Sequence, residues 1–93
     1  MKSVYPISLG QKVESITGRD ANKIYLVVAI KGKEVFLANG RERKLANPKK
    51  KNIRHVKVYK WIAEAVADKF ASNKKVTDED IRLAIVKCTS DNL

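Results

Sequence analysis

Residues 23–40 read KIYLVVAIKGKEVFLANG and carry the clearest strand pattern in the chain. Apolar residues recur with a period of two from residue 23 to residue 31, which predicts a β-strand with one face turned inward. The residues on that face are Ile24, Leu26, Val28 and Ile30. The same period turns Tyr25 outward.

The next two residues, 32–33, predict a hairpin. Gly-Lys fits a type II′ turn, which favours Gly at its first central position. This turn sets a register that pairs Ile30 with Val35 and Val28 with Leu37. The apolar residues of the two strands then share one face.

Asn39-Gly40 is a second hairpin signal, suited to a type I′ turn, and predicts a returning strand over residues 41–45. The register would point Glu42 and Lys44 inward, so we also predict a bulge or an early end to this strand. An aromatic ring and two guanidinium groups would then share the outer face, on Phe36, Ala38, Arg41 and Arg43.

Weaker patterns complete the β-rich part of the chain. One strand is predicted at about residues 11–17, before a turn at Gly18-Arg19-Asp20, and another at about 53–58. Five short, twisted strands indicate a small antiparallel barrel. The fold class is therefore mainly β with two short C-terminal α-helices. We assign residues 1–58 to this barrel and 59–93 to a helical extension that packs on the barrel or on a partner.

Helical spacing begins after the last predicted strand. Residues 59–71 carry Ile62, Val66 and Phe70 on one face. Thr77 is a suitable N-cap for a second helix and approximates a capping box with Asp80. The apolar stripe of that helix comprises Ile81, Ile85 and Cys88.

Charge is distributed unevenly along the 93 residues. Lys and Arg number 20 against 10 Asp and Glu, a net charge of +10. Residues 1–60 carry 15 basic and 4 acidic side chains (+11), whereas residues 61–93 carry 5 and 6 (−1). Such an excess repels itself unless a polyanion neutralises it, so the first 60 residues predict an anionic partner.

Several functional classes have no support in the sequence. No apolar run approaches the roughly 20 residues that cross a bilayer, and the first residues lack a signal-peptide pattern, so we expect a cytoplasmic protein without membrane contact. Cys88 and His55 are the only residues of their types and cannot build a zinc site or a disulfide. Without paired carboxylates, a phosphate-binding glycine loop or a nucleophile motif, we expect no catalysis, cofactor, metal or small-molecule substrate.

Two segments are candidates for contact with a polyanion. Residues 47–54, NPKKKNIR, are stiffened by Pro48 and present four cations, although a solvated linker is the alternative interpretation. Arg19 follows Gly18, whose turn calls for a positive φ. An arginine there can bind phosphate through two hydrogen bonds or stack on a base. The alternative is that it pairs with Asp20.

The segments around Arg19 resemble a known motif. LGQKV at residues 9–13 with ITGRD at 16–20 is similar to the KOW motif, whose hallmark glycine corresponds to Gly18. The similarity continues through residues 23–28, 38–40, 44–45, 48–51 and 54–56, and more loosely through TDEDIR at 77–82. The chain resembles bacterial KOW-domain RNA-binding proteins related to ribosomal protein L14e. It departs from them at residues 21–22, where Ala-Asn stands in place of the common Lys-Gly; Asn tolerates a left-handed turn.

The resemblance implies an SH3-like barrel that binds structured RNA, with ribosomal RNA as the expected partner. Shape would be read more than base sequence. The predicted phosphate contacts are Arg19, Lys23, Arg41, Arg43, Lys49, Lys50, Lys51 and Arg54. The possible stacking residues are Tyr25 and Phe36, and the structural turn residues are Gly18 and Gly40.

Two other functions remain open from the sequence. In the first, the C-terminal helices dock on a ribosomal or transcription protein, and the barrel adds only loose RNA affinity; KOW barrels in elongation factors can bind proteins, so the fold does not decide the partner. The second is DNA binding. It keeps the electrostatics but lacks a basic recognition helix, because the helical part is the acidic one.

Overall fold

A computed structural model describes residues 7–91, the last two as backbone only. Five strands precede two helices, so the predicted class, mainly β with C-terminal helices, is confirmed. The elements are β1 (Gln11–Ser15), β2 (Ile24–Lys31), β3 (Glu34–Ala38), β4 (Lys49–Asn52), a 3₁₀ helix (Ile53–His55), β5 (Val56–Ile62), α1 (Glu64–Ala71) and α2 (Asp78–Asp91).

The strands form one antiparallel sheet in the order β4-β3-β2-β1-β5. β4 and β5 are therefore opposite edges, although only the three-residue 3₁₀ helix separates them in the chain. The sheet must curve for so short a connection to join its two edges. The strand pairings of the described residues end at these edges, and closure into a barrel stays a prediction.

The β2–β3 hairpin follows the predicted register only near its turn. Ile30 pairs with Val35 as expected, but Val27 takes the place predicted for Val28 opposite Leu37. The register shifts between Val27 and Ala29, which leaves Val28 as a bulge. Because side chains alternate with a period of two, one extra residue reverses the faces of the strand before it.

Both faces of β2 are buried over residues 25–27, whereas residues 29–31 are exposed. The predicted outward orientation of Tyr25 is wrong, since its side chain lies in the core with 2% of its surface exposed. The first core cluster comprises Val13, Tyr25, Val27, Val35, Leu37 and Val56. The second comprises Leu26, Ala63, Val66 and Ile81, between β2 and the helices. The helices therefore pack on the sheet itself.

The first helix begins later than its periodicity predicts. Residues 56–62 read VKVYKWI, a β-branched and aromatic composition that favours strand, and β5 runs through Ile62. The chain leaves the sheet at Ala63, whose N–H donates to the carbonyl of Gly10 at 2.8 Å. Helix α1 starts at Glu64. The division predicted at residue 58 falls inside β5.

The returning strand predicted over residues 41–45 is wrong. Asn39 instead closes a turn, because its side-chain oxygen accepts the N–H groups of Arg41 at 2.9 Å and Arg43 at 3.0 Å. Gly40 has a φ of 76°, as its predicted turn role requires. Residues 39–48 form a loop, and the lysine run 49–51 supplies β4.

Helix α2 agrees with its predicted signals. The N–H of Asp80 donates to the Thr77 hydroxyl at 3.1 Å, and the N–H of Thr77 donates to the Asp80 carboxylate at 3.0 Å, so the capping box is reciprocal. Ile81 and Cys88 are fully buried. No helix within residues 7–91 has the length and apolar character to cross a membrane.

Candidate nucleic-acid interface

Most of the predicted phosphate-binding residues lie on two loops and the edge strand beside them. We call residues 16–23 the first basic loop and residues 39–48 the second basic loop. The loops approach each other where Lys23 Nζ lies 4.0 Å from a carboxylate oxygen of Glu42. β4 reaches the first basic loop through Lys51, whose Nζ donates to the carbonyl of Thr17 at 2.9 Å and its hydroxyl at 3.0 Å.

Asp20 is the charged centre of the first basic loop. Its residue surface is 6% exposed, and it accepts hydrogen bonds from the Ser15 hydroxyl at 3.1 Å and the Tyr25 hydroxyl at 3.3 Å. Lys51 Nζ lies 3.4 Å and Lys49 Nζ 3.6 Å from its carboxylate. Burial acts to raise the pKa of Asp20, but the Ser15 hydrogen bond and the two lysines outweigh it and hold the pKa below its usual value.

Tyr25 lies in the core and donates its hydroxyl hydrogen bond to the Asp20 carboxylate. Burial, followed by the charge of Asp20 and the hydrogen bond to it, raises the pKa of Tyr25 to about 12. The phenol therefore stays protonated and remains a hydrogen-bond donor at neutral pH. Because its ring is enclosed, the stacking role predicted for Tyr25 has no surface on which to act.

The three lysines of β4 are not equivalent. Lys49 and Lys51 pair with Leu37 and Val35, which places them on the face of the first core cluster, beneath Asp20. The Lys51 side chain is only 9% exposed. Lys50 points to the other face, is 59% exposed and lies 3.9 Å from Glu34. The sequence predicted four projecting cations, whereas Lys51 is largely withdrawn from solvent.

The predicted arginines lie on the two basic loops and on the 3₁₀ helix, outside the β4 strand. Arg19, Arg41 and Arg54 are exposed, and Arg43 is half-buried. The carboxylate of Asp20 is held by lysines, which leaves Arg19 outside that pairing. Arg54 lies on the 3₁₀ helix, where the carbonyl of the adjacent His55 accepts the N–H of Ile16 at 3.1 Å. This contact places Arg54 beside the start of the first basic loop.

Phe36 is the remaining stacking candidate. It is half-buried and pairs across the strands with Lys50 on one side and Ala29 on the other. The ring and the Lys50 ammonium therefore share the face opposite Asp20. This surface is separate from the two basic loops, so Phe36 and Lys50 would form a second contact area.

Arg82 was missed by the sequence analysis. It lies on α2, yet its Nη1 donates to the carbonyl of Gly40 at 2.7 Å. Together with Gly40, Arg41, Glu42 and Lys44 it lines a shallow cavity of about 470 Å³. Arg82 is 42 residues from Gly40, and no local pattern in an otherwise acidic helix start indicates this position.

A lysine–tyrosine cluster on the neighbouring strands β1 and β5 was also missed. Lys12 is only 4% exposed, and its Nζ lies 4.4 Å from the centre of the Tyr59 ring, with Lys57 Nζ at 5.0 Å. The Tyr59 hydroxyl donates to Glu14, and this hydrogen bond raises the pKa of Tyr59. The cation–π contact with the Tyr59 ring partly compensates the burial of the Lys12 ammonium.

No protein-family model matches the chain, and a search of curated proteins returns no significant match.

Proposed function

We propose that the protein is a cytoplasmic RNA-binding module that holds structured RNA, ribosomal RNA above all, through its phosphates and without catalysis. The observation that carries the proposal is the approach of the two basic loops, where Lys23 lies 4.0 Å from Glu42 and lines one cavity together with Arg41. Arg19 is exposed on the same loop as Lys23. When exposed cations neutralise phosphates, the counterions condensed on the nucleic acid are released, which supplies a large share of the binding free energy.

Backbone conformation supports the KOW resemblance as part of this proposal. Gly18 has a φ of 79°, the left-handed conformation for which the motif keeps a glycine. Asn22, which stands where related chains commonly have a second glycine, has a φ of 74°. A left-handed residue is thus present at both positions, so the substitution at residue 22 is compatible with a KOW-type loop.

The exposed arginines provide the direct test. Arg19→Ala and Arg41→Ala should each weaken binding to a fluorescent RNA hairpin and lower the slope of log affinity against log salt by about 0.7–0.9. Lys75→Ala is the matched control, because Lys75 is exposed on the α1–α2 connection and its loss changes net charge equally. The measurement is fluorescence anisotropy across a salt series, with a DNA duplex of the same sequence as competitor.

RNA binding through the loops is refuted if the arginine variants match Lys75→Ala in affinity and salt slope. Preference for the DNA duplex would favour the DNA alternative. Arg19→Lys adds a finer measurement: the charge remains but the planar fork is lost, so affinity for a preferred RNA should fall while the salt slope stays.

A second candidate, a protein-interaction module, is favoured by one observation. Leu83 is 61% exposed and Ile62 36% exposed, and both line a groove of about 640 Å³ between the end of β5 and the two helices. A partner from the ribosome or the transcription machinery would bury these side chains. Capture of the same protein partner with and without ribonuclease treatment, lost in Leu83→Asp, would support this candidate over RNA.

A further inference from the structure

We infer that α2 acts as a clamp that fixes the second basic loop in the conformation that presents its cations to RNA. The inference rests on the proposed function and assigns to the acidic C-terminal helix a positioning role within it. The loop carries Arg41, Arg43 and Lys44, and its backbone is held at two points by one face of α2.

The first point is the end of the cationic segment. The Leu45 N–H donates to a carboxylate oxygen of Asp78 at 2.8 Å. Asp78 is the first residue of α2, where a carboxylate is also favoured by the helix dipole. The contact spans 33 residues, so the loop has this partner only when α2 is docked.

The second point is the start of the segment. Arg82 donates to the Gly40 carbonyl at 2.7 Å, one helical turn after Asp78 and on the same face of α2. A Cβ on Gly40 would lie 2.5 Å from the carbonyl oxygen of Asp78 and 2.7 Å from Cγ of Arg82. The helix therefore rests directly on the loop backbone.

An apolar contact of Leu45 adds to the first point. Ile81 belongs to the second core cluster, and Leu45 packs against that cluster. The loop segment from Gly40 to Leu45 is thus held at both ends, and Arg41 and Lys44 extend beside Arg82 around the shallow cavity. A loop fixed before binding loses less conformational entropy when its side chains engage phosphates.

The charge of α2 makes the inference testable. Its first turn carries Asp78, Glu79 and Asp80, which by charge alone oppose the approach of a polyanion. Removal of one of these carboxylates should therefore tighten RNA binding if α2 has no other role. The clamp predicts the opposite result at Asp78, because this residue holds Leu45.

The decisive pair is Asp78→Ala and Glu79→Ala. Both remove one negative charge from the first turn of the same helix, but Glu79 is exposed. For an RNA hairpin, Asp78→Ala should bind roughly three- to tenfold more weakly than the wild type, since the loop must order on binding. Glu79→Ala should bind within about twofold of the wild type or more tightly. Arg82→Lys, which keeps the charge, should weaken binding with an unchanged salt slope.

Hydrogen exchange of the Leu45 amide, measured without RNA, separates this inference from the proposed function. Asp78→Ala should speed exchange at residues 40–45 relative to Glu79→Ala, while the amides of β2 stay protected. Equal exchange in the two variants overturns the clamp, and so does faster exchange with unchanged RNA affinity. If the wild type binds no RNA, the proposed function falls and the positioning role falls with it, whereas exchange still decides whether α2 fixes the loop.

Discussion

The two basic loops are held in different ways. The first is held by residues close to it in sequence, Ser15 and Tyr25, and by the lysines of β4 that meet Asp20. The second makes its own turn around Asn39 but is fixed to the rest of the molecule by α2. One loop is anchored through its own buried carboxylate, which side chains of the sheet contact, and the other by a helix that follows the sheet.

Two loops with similar charge can therefore depend on different parts of the molecule for their conformation. Loss of the helix contact should free the second loop and leave the first in place. Loss of the Asp20 centre should instead affect β1, β2 and β4 together, because its partners lie on or beside all three strands.

The largest expected effect is at the contact between the second loop and α2. Gly40→Ala should lower the free energy of unfolding by about 2–4 kcal/mol, because a left-handed residue gains a side chain and that side chain meets α2. Gly32→Ala is the control, since Gly32 has a φ of 60° but no atom within 4 Å of an added Cβ. It should cost only about 1–2 kcal/mol. Equal losses in urea denaturation would contradict close packing of α2 on the loop.

Asp20→Asn should have the next largest effect, a loss of about 2–3 kcal/mol, because the largely buried Lys51 ammonium would lose its counter-charge. Chemical denaturation at neutral pH measures it. Glu34→Gln removes a carboxylate from the exposed pair with Lys50 and should change stability by less than about 0.5 kcal/mol. A small loss in both variants would mean that the Asp20 centre contributes little to the fold.

Sequence reasoning succeeded where local signals dominate. The hairpin turn, the reciprocal Thr77–Asp80 cap and the burial of Cys88 each follow from neighbouring residues. It failed at Val28, because a period-two pattern does not reveal a bulge, and at Tyr25, whose face depends on that bulge. A strand with both faces buried is apolar at nearly every position, so its alternation does not identify the inner face.

For the candidate site, the sequence predicted which residues are cationic but not which of them lie together. Strand pairing decides on which face of the sheet each cation lies. This pairing depends on residues far apart in the chain, so local sequence patterns do not reveal it. The lysine run appeared as one patch in the sequence, whereas β4 sends Lys49 and Lys51 to one face and Lys50 to the other. Arg82 escaped notice because only the docking of α2 brings it to Gly40.

Smaller effects on stability are expected for Lys50 and Lys51, whose alanine variants should differ in RNA binding. Lys51→Ala should cost about 1 kcal/mol of stability through the lost Thr17 hydrogen bonds and Asp20 pair, and leave the salt slope of RNA binding unchanged. Lys50→Ala should change stability by less than about 0.5 kcal/mol but, as a phosphate contact, lower the slope by about 0.7–0.9. If both variants lower the slope equally, the division of the lysines between faces does not govern binding.

The smallest effect is the pH dependence that Asp20 contributes. Its pKa in the folded state lies below the value of 3.8 for a free aspartate. A group with a lowered folded pKa stabilises the fold fully above its unfolded pKa, and this stabilisation is lost as the pH falls through the folded value, where both states bind the proton. The difference in unfolding free energy between the wild type and Asp20→Asn should therefore be constant above about pH 5 and shrink below pH 3.8. Asp80, whose pKa is lowered by the Lys69 hydrogen bond, titrates in both proteins, so its contribution cancels in the difference. Urea denaturation at several pH values gives this difference directly, and a gap that persists unchanged below the folded pKa would show that the Asp20 charge does not stabilise the first basic loop.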